Sequence, residues 1–335
     1  MAHGTGGRLT RDLVAAVFGK KFSNVILDRM DDAAMLELEG RFAFTTDGHV
    51  VSPIFFPGGD IGRLSITGTV NDLAMMGATP LYISAGFIIE EGMPLADLER
   101  LALSMREAAG EAGVQVVAGD TKVVEKGAAD RIFVNTSGIG LIPPGVHISG
   151  AGARPGDVVI LSGPIGDHGI AIISQRQGMD FDVEIKSDCA PLGGLVRRML
   201  DASPRLNVLR DPTRGGLAAS LNEIAAASRV SVEIDESRVP MRAAVRAACE
   251  LLGLDPLMLA NEGKLVAFVA AQDAGRVLEA MRGSPLGAEA AIIGNVLGAE
   301  DPHLPSGRPC VCARTVMGSR RIIQMPSGEH LPRIC

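Results

Sequence analysis

The chain has 335 residues, 47% hydrophobic and 21% charged, with 41 Gly, 19 Pro and no Trp, a composition that excludes disorder and a fibrous repeat. Lys and Arg total 32 against 39 Asp and Glu, a net charge of −7; that field repels a nucleic-acid backbone, and 3% aromatic residues leave too few rings for base stacking. The longest apolar run, Leu265–Ala271, is seven residues, far short of the ~18–20 that span a bilayer, so the expectation is a cytoplasmic protein with neither a membrane segment nor a secretory leader.

At roughly 150 residues per domain the length suggests two domains. Residues 1–40 read as an N-terminal segment holding the glycine-rich string Gly4-Thr-Gly-Gly-Arg8. From 41 to 148 the pattern alternates: an apolar run Phe42–Thr46, a helix Ile61–Gly77, a run Leu81–Ile89, a helix Leu95–Gly113, then strands Val114–Ala118 and Arg131–Ile139. The second helix is marked by Pro94 at its start and by apolar residues at spacings of three and four. This βαβαββ order predicts an α+β sheet with helices on one face. Ser149-Gly-Ala-Gly-Ala-Arg-Pro-Gly156 marks a boundary. Residues 149–317 then read as a mixed αβ domain, with helices near 167–176, 192–202, 215–228, 240–253 and 272–282 and strands near 157–162, 207–210, 230–234, 264–270 and 289–297. Prolines and a glycine after Met325 predict an irregular, mobile tail over 318–335.

Acidic residues recur at the ends of these elements, in Met30-Asp-Asp-Ala-Ala34, Thr45-Thr-Asp47, Val70-Asn-Asp-Leu-Ala74 and Ala118-Gly-Asp-Thr-Lys122. Two ionised carboxylates about 4 Å apart repel by roughly 4 kcal/mol at an effective dielectric near 20, so a converging set calls for a cation. Hard oxygen ligands suit Mg²⁺ bridging nucleotide phosphates. Each aspartate alone reads as a cap or turn residue; the joint pattern is the signal. No Walker A or dinucleotide fingerprint is present, and the six histidines and the Cys310-Val-Cys312 pair have no zinc spacing. Five cysteines (Cys189, Cys249, Cys310, Cys312, Cys335), an odd number, read as reduced thiols.

The strings Thr45-Thr-Asp-Gly-His-Val-Val-Ser-Pro-Ile-Phe-Phe-Pro-Gly-Gly-Asp-Ile-Gly62, Asn71-Asp-Leu-Ala-Met-Met-Gly-Ala78, Gly86-Phe-Ile-Ile-Glu-Glu-Gly92, Arg210-Asp-Pro-Thr-Arg-Gly-Gly216, Asn261-Glu-Gly-Lys264 and Pro332-Arg-Ile-Cys335 resemble the hydrogenase maturation family HypE, within the aminoimidazole ribonucleotide synthetase (PurM-like) superfamily. The resemblance spans essentially the whole chain. It implies a two-domain PurM-like architecture, with ATP binding and dimerisation in 41–148. The activity implied is ATP-dependent dehydration of a carbamoyl group, carried on Cys335, to a thiocyanate that supplies cyanide ligands for the [NiFe]-hydrogenase iron. The implied partners are a carbamoyltransferase, HypF, a HypC–HypD scaffold complex and a second copy of the chain. The implied cofactors are ATP and Mg²⁺.

Carried over position by position, the superfamily's metal carboxylates fall on Asp32, Asp47, Asp72 and Asp120. Thr46, Asp47, Thr121 and Lys122 would meet the nucleotide, and Glu262 would be the base, with Lys122 as a phosphate contact or proton-transfer partner. Asp31 reads as a turn residue and His49 as an exposed loop histidine. Other readings remain: phosphoryl transfer like that of selenophosphate synthetase or thiamine-monophosphate kinase, or a non-catalytic maturation scaffold. Against the first, Gly4–Arg8 has no reactive Cys followed by Lys; against the second stands the terminal cysteine. A tail of 17 steps from Gly318 to Cys335 would reach on the order of 56–61 Å when extended, enough to load outside and dock inside.

Overall fold

The computed structural model describes residues 8–30, 33–179, 183–298, 309–326 and 333–335. It opens with helical turns α1 (Arg8–Leu13) and α2 (Lys20–Phe22), joined by a π-helical stretch over 14–19. The rings of Phe18 and Phe87 stack at 4.3 Å and fix this segment to the first domain.

The first domain runs β1 (Arg41–His49), the small hairpin β2 (Phe55–Phe56) and β3 (Gly59–Asp60), α3 (Ile61–Met75), β4 (Thr79–Glu90), α4 (Leu95–Ala112), β5 (Gln115–Val124) and β6 (Ile132–Ile142). Its main sheet has the order β1-β6-β4-β5, antiparallel except for the β4/β5 pair. Along β6 the even-numbered residues Ile132 to Ile142 are buried and the odd ones are not, so α3 and α4 cover one face and the other face is open. Asp60 caps α3 by accepting from the Arg63 amide at 2.9 Å. Nearly all of α3 is buried, because its far side packs against the second domain.

The second domain holds β7 (Val158–Leu161), α5 (Asp167–Gln177), α6 (Gly193–Ala202), β8 (Leu206–Arg210), α7 (Gly216–Ser228), β9 (Ser231–Asp235), α8 (Ala243–Leu252), β10 (Val266–Val269), α9 (Ala271–Arg282), β11 (Ala291–Leu297), β12 (Val311–Arg314) and β13 (Arg320–Ile322). Its strands form one sheet in the order β13-β12-β9-β11-β7-β10-β8. β10 is an all-buried strand between β7 and β8.

The expected βαβαββ order and the α+β class are observed, with three departures that matter for the site. β1 continues through Asp47 to His49, and β5 continues through Asp120 to Val124, so the acidic strings around Asp47 and Asp120 lie within strands; ladder pairing to β6 and β4 carries these polar residues past the apolar runs. Strands β12 and β13 were not foreseen. Residues 320–322, expected in an irregular tail, pair with β12, and Ile323 behind them is buried.

Candidate functional site

The cavity between the domains, about 490 Å³, is lined by Thr45, Thr46, Asp47, His49, Gly68, Asp72, Asp211, Thr213, Arg214, Glu262 and Cys335, among others. Strand β1 delivers the first group. Thr45 donates from Oγ1 to Asp72 Oδ2 at 2.8 Å, tying β1 to the end of α3. Asp47 Oδ2 lies 3.6 Å from His49 Nε2. His49 is buried, not exposed as its sequence position suggested: β1 runs on to include it and packs its ring against α3. A Cβ on Gly68 would come within 3.0 Å of the ring, so glycine there gives the imidazole room against α3. Thr136 Oγ1 gives its hydrogen to the Ser65 carbonyl, which leaves His49 Nε2 to donate to it at 3.2 Å. Burial holds the His49 pKa down against the opposing pull of Asp47.

The string Asn261-Glu262-Gly263-Lys264 delivers the second group. Asn261 Oδ1 accepts from the Gly166 amide at 2.7 Å and its Nδ2 donates to the Pro212 and Leu259 carbonyls, each at 2.9 Å, pinning the start of α5 and the 211–215 loop to one point. Asp188 accepts from the Glu262 amide at 3.0 Å and from Lys264 Nζ at 3.1 Å, while Asn71 Nδ2 donates to the Glu262 carbonyl at 3.3 Å. A Cβ at Gly263 would stand 1.8 Å from the Asp188 carbonyl oxygen, so no other residue fits. The result is a rigid backbone presenting a buried Glu262 side chain whose Oε1 has no hydrogen-bond partner among the described residues. Lys264, the neighbouring cation, belongs to Asp188.

Cys335 enters from the far end of the chain. Its main-chain oxygen accepts from the Val50 amide at 3.1 Å, and Ile334 before it is 4% exposed in the first domain's core. Burial first, then the Glu262 charge, pushes the Cys335 thiol up to about 12, so it is protonated where it sits. Glu262 is raised well above the carboxylate range by burial and then by Asp211, Asp188, Asp47 and Asp72. Asp211 rises to about 7, through burial and then Asp72. Asp72 is raised by burial, with the Thr45 hydrogen bond opposing and Asp47 adding. An acidic cleft that raises Asp72, Asp211 and Glu262 together favours cations and mobile protons.

Side-chain alternation splits the residues expected to act together. Thr45, Asp47 and Thr121 face the helices, whereas Thr46, which touches the cavity at the edge of β1, turns its side chain to accept from Ser137 Oγ at 3.0 Å on the open face of the sheet that also carries Asp120 and Lys122. These two form an exposed ion pair at 2.8 Å, and Lys122 holds the Asp120 pKa down. Asp120 aligns with Gly86, Asn135 and Gly48 across the sheet, three strand spacings or about 14 Å from β1. Asp47 and Asp72 are thus together, Asp120 is apart, and Asp31, Asp32 and Gly4–Gly7 lie outside the described residues. No three His, Cys, Asp or Glu side chains converge into a ready-made metal cage among the described residues. Asp211, Thr213 and Arg214 were given no role from sequence, although Asp-Pro-Thr-Arg-Gly-Gly before a helix was a usable signal; the loop places all three in the cavity.

Two αβ domains closing on a carboxylate-lined cleft define an AIR synthase related protein, and the family models agree: "AIR synthase related protein, N-terminal domain" matches residues 30–142 and "AIR synthase related protein, C-terminal domain" matches 154–304. The carbamoyl dehydratase HypE of Cupriavidus necator is 55% identical over all of this chain and 94% of its own length. A crystal structure of the hydrogenase maturation protein HypE in complex with ATP is 48% identical and superimposes with a TM-score of 0.96 over 100% of this chain and 99% of that one. A crystal structure of a HypE–HypF complex gives 47% identity and a TM-score of 0.82, over 96% of this chain and 100% of that one. The chain belongs to the HypE family of carbamoyl dehydratases.

Proposed function

We propose that the chain dehydrates a carbamoyl group borne on Cys335 to a thiocyanate at the expense of ATP, within hydrogenase maturation. The observation that carries this reading is Cys335 docked in the same cavity as Glu262, a buried carboxylate with one oxygen unpartnered among the described residues. In the reaction the carboxamide oxygen attacks the γ-phosphorus, and ADP leaves. One nitrogen proton is lost as the S–C(=NH)–O–phosphate forms. The second is lost as the C–O bond breaks, phosphate departs and the C≡N bond closes. Glu262 receives protons from the nitrogen: its raised pKa makes it a stronger base than an ordinary carboxylate, and the burial that raises it keeps water from the activated ester.

Asp47 and Asp72 are the described residues fit to hold Mg²⁺ with the nucleotide, since Mg²⁺ commonly takes one or two carboxylates plus phosphates. Bound there, it would neutralise charge on the transferring phosphoryl group. Thr46, Thr121, Asp120 and Lys122 are proposed as nucleotide contacts, and Asp32 as a further metal ligand. Thr46, Asp120 and Lys122 lie on an open sheet face that also exposes Phe44 and Ile88; a second copy packed there would form the homodimer and bring one copy's Asp120–Lys122 over the other's sheet, about 10 Å away. The working division is 41–148 for ATP and dimer contacts, 149–317 for the second domain and 318–335 for the carrier segment.

Loading must occur elsewhere, because a half-buried thiol pushed up to about 12 is a poor nucleophile. HypF is the proposed loader and a HypC–HypD complex the acceptor of cyanide, all in the cytoplasm; no described helix is long and apolar enough to cross a membrane. The test is ATP cleavage by the carbamoylated protein. Cleavage that needs carbamoylated Cys335 and disappears in Asp72→Ala supports the enzyme, whereas carbamoyl-independent cleavage favours a small-molecule phosphotransferase and none at all favours a scaffold.

A further inference from the structure

How the 333–335 segment is held in the cleft suggests a device for the carrier step. A main-chain oxygen of each of its three residues is engaged by a separate donor set. The Arg333 oxygen accepts from the Ser52 amide at 3.2 Å and from Arg176 Nη2 at 2.8 Å. The Ile334 oxygen accepts from His168 Nε2 at 2.8 Å, and the Cys335 oxygen from the Val50 amide at 3.1 Å. Arg176 also donates to the Ser52 carbonyl at 2.7 Å, clamping the two chain segments together, and Arg333 Nε returns a bond to the Val50 carbonyl at 2.9 Å.

The imidazole is preset for this task. Ser187 Oγ accepts from the Cys189 amide at 3.1 Å and spends its hydrogen on His168 Nδ1 at 2.8 Å. Because the Ile334 carbonyl can only accept, Nε2 carries the ring hydrogen, which leaves Nδ1 of the neutral ring to take the Ser187 hydrogen. The ring is completely buried, edge-on to Phe56 at 5.6 Å, so withdrawal of the segment strands a buried donor unless water follows. None of these bonds involves the Cys335 sulfur.

We propose that His168 and Arg176, both on α5, are positioning residues that latch the carrier segment by its backbone. The latch is indifferent to what the sulfur carries, so thiol, thiocarbamate and thiocyanate dock alike in front of Glu262. This deepens the proposed function and rests on it for its purpose, while its geometry can be tested without any turnover.

The experiment uses the full chain and reads iodoacetamide alkylation of each cysteine by peptide mass, with buried Cys189, Cys249 and Cys312 as internal reporters of folding. His168→Phe keeps the ring and loses the donor; Cys335 should alkylate about 10-fold faster than in the wild type, the effect of one lost buried hydrogen bond. His168→Gln restores an N–H near the Nε2 position and should stay within about 3-fold of wild type. Exposed Arg176→Met should accelerate Cys335 several-fold. In carbamoylated protein, dehydration should slow in His168→Phe and Arg176→Met, with loading by the carbamoyltransferase undiminished. Wild-type alkylation of Cys335 in His168→Phe, with the other cysteines protected, overturns the latch, as does a Gln variant as open as the Phe one. If the buried cysteines of His168→Phe react as well, Arg176→Met decides: a wild-type rate there overturns the proposal. Failure of the wild type to dehydrate would instead refute the reaction, while the alkylation rates would still decide the latch by the outcomes above.

Discussion

Asp211→Asn should stabilise the protein in alkaline solution and lose that advantage in acid. Burial and the Asp72 carboxylate raise Asp211 from 3.8 to about 7. Between those values the native state keeps a proton that the unfolded chain has released, so stability falls by about 1.4 kcal/mol per pH unit as pH rises, and the contribution present below 3.8 is gone above about 7. From pH 5 to pH 8 roughly two such units are crossed, worth about 3 kcal/mol. Asparagine does not titrate and escapes that loss, less the ~1–2 kcal/mol of burying an amide without a full set of partners. Urea unfolding at the two pH values, followed by circular dichroism, measures it: the variant's stability relative to wild type should improve by about 3 kcal/mol from pH 5 to pH 8. Mg²⁺ and ATP should narrow the gap at pH 8 by compensating the wild-type charge. An Asn variant whose relative stability is the same at both pH values, or falls with pH, would refute the idea of an uncompensated acidic cleft.

Glu262→Gln should lower the dehydration rate of carbamoylated protein by roughly 10²- to 10⁴-fold with little change in ATP affinity; single-turnover kinetics and isothermal titration separate the two. Because the Glu262 pKa is raised by burial and by Asp211, Asp188, Asp47 and Asp72, the wild-type rate should climb with pH above the ordinary carboxylate range, a limb absent from the Gln variant. Gly263→Ala, whose Cβ would collide with the Asp188 carbonyl, should displace Glu262 and cost several kcal/mol in thermal unfolding. Deleting residues 333–335 should leave ATP binding nearly intact while abolishing thiocyanate formation, and loss of nucleotide binding would contradict that division of labour.

The fold was legible wherever apolar periodicity carried it. α4, with its three- and four-residue spacing, and the buried strands β7 and β10 stand close to their expected positions. What escaped was structure made by pairing alone. β13 is exposed at all three residues and includes Arg320 and Arg321, so no alternation announces it; it exists because β12 offers an edge and Ile323 is buried behind it. The polar ends of β1 and β5 were missed for the same reason. In the site, Asp47, Asp72, Glu262 and Cys335, far apart in sequence, were named and share one cavity. Period-two alternation shows why Thr46 and Asp120 do not join Asp47 on its face, and it was available in the sequence once β1 and β5 were known to extend that far. The burial of His49 was not, because it arises from the packing of the end of β1 against α3, where Gly68 faces the ring.

The central claim is that Cys335 carries the group that ATP transforms. Its most direct test is the mass of the Cys335 peptide from carbamoylated protein before and after ATP and Mg²⁺ are added. The account predicts loss of one water with the modification still on sulfur, matched by one ADP and one phosphate. ATP cleavage with the carbamoyl mass unchanged, or loss of the entire group to leave free thiol, would contradict it.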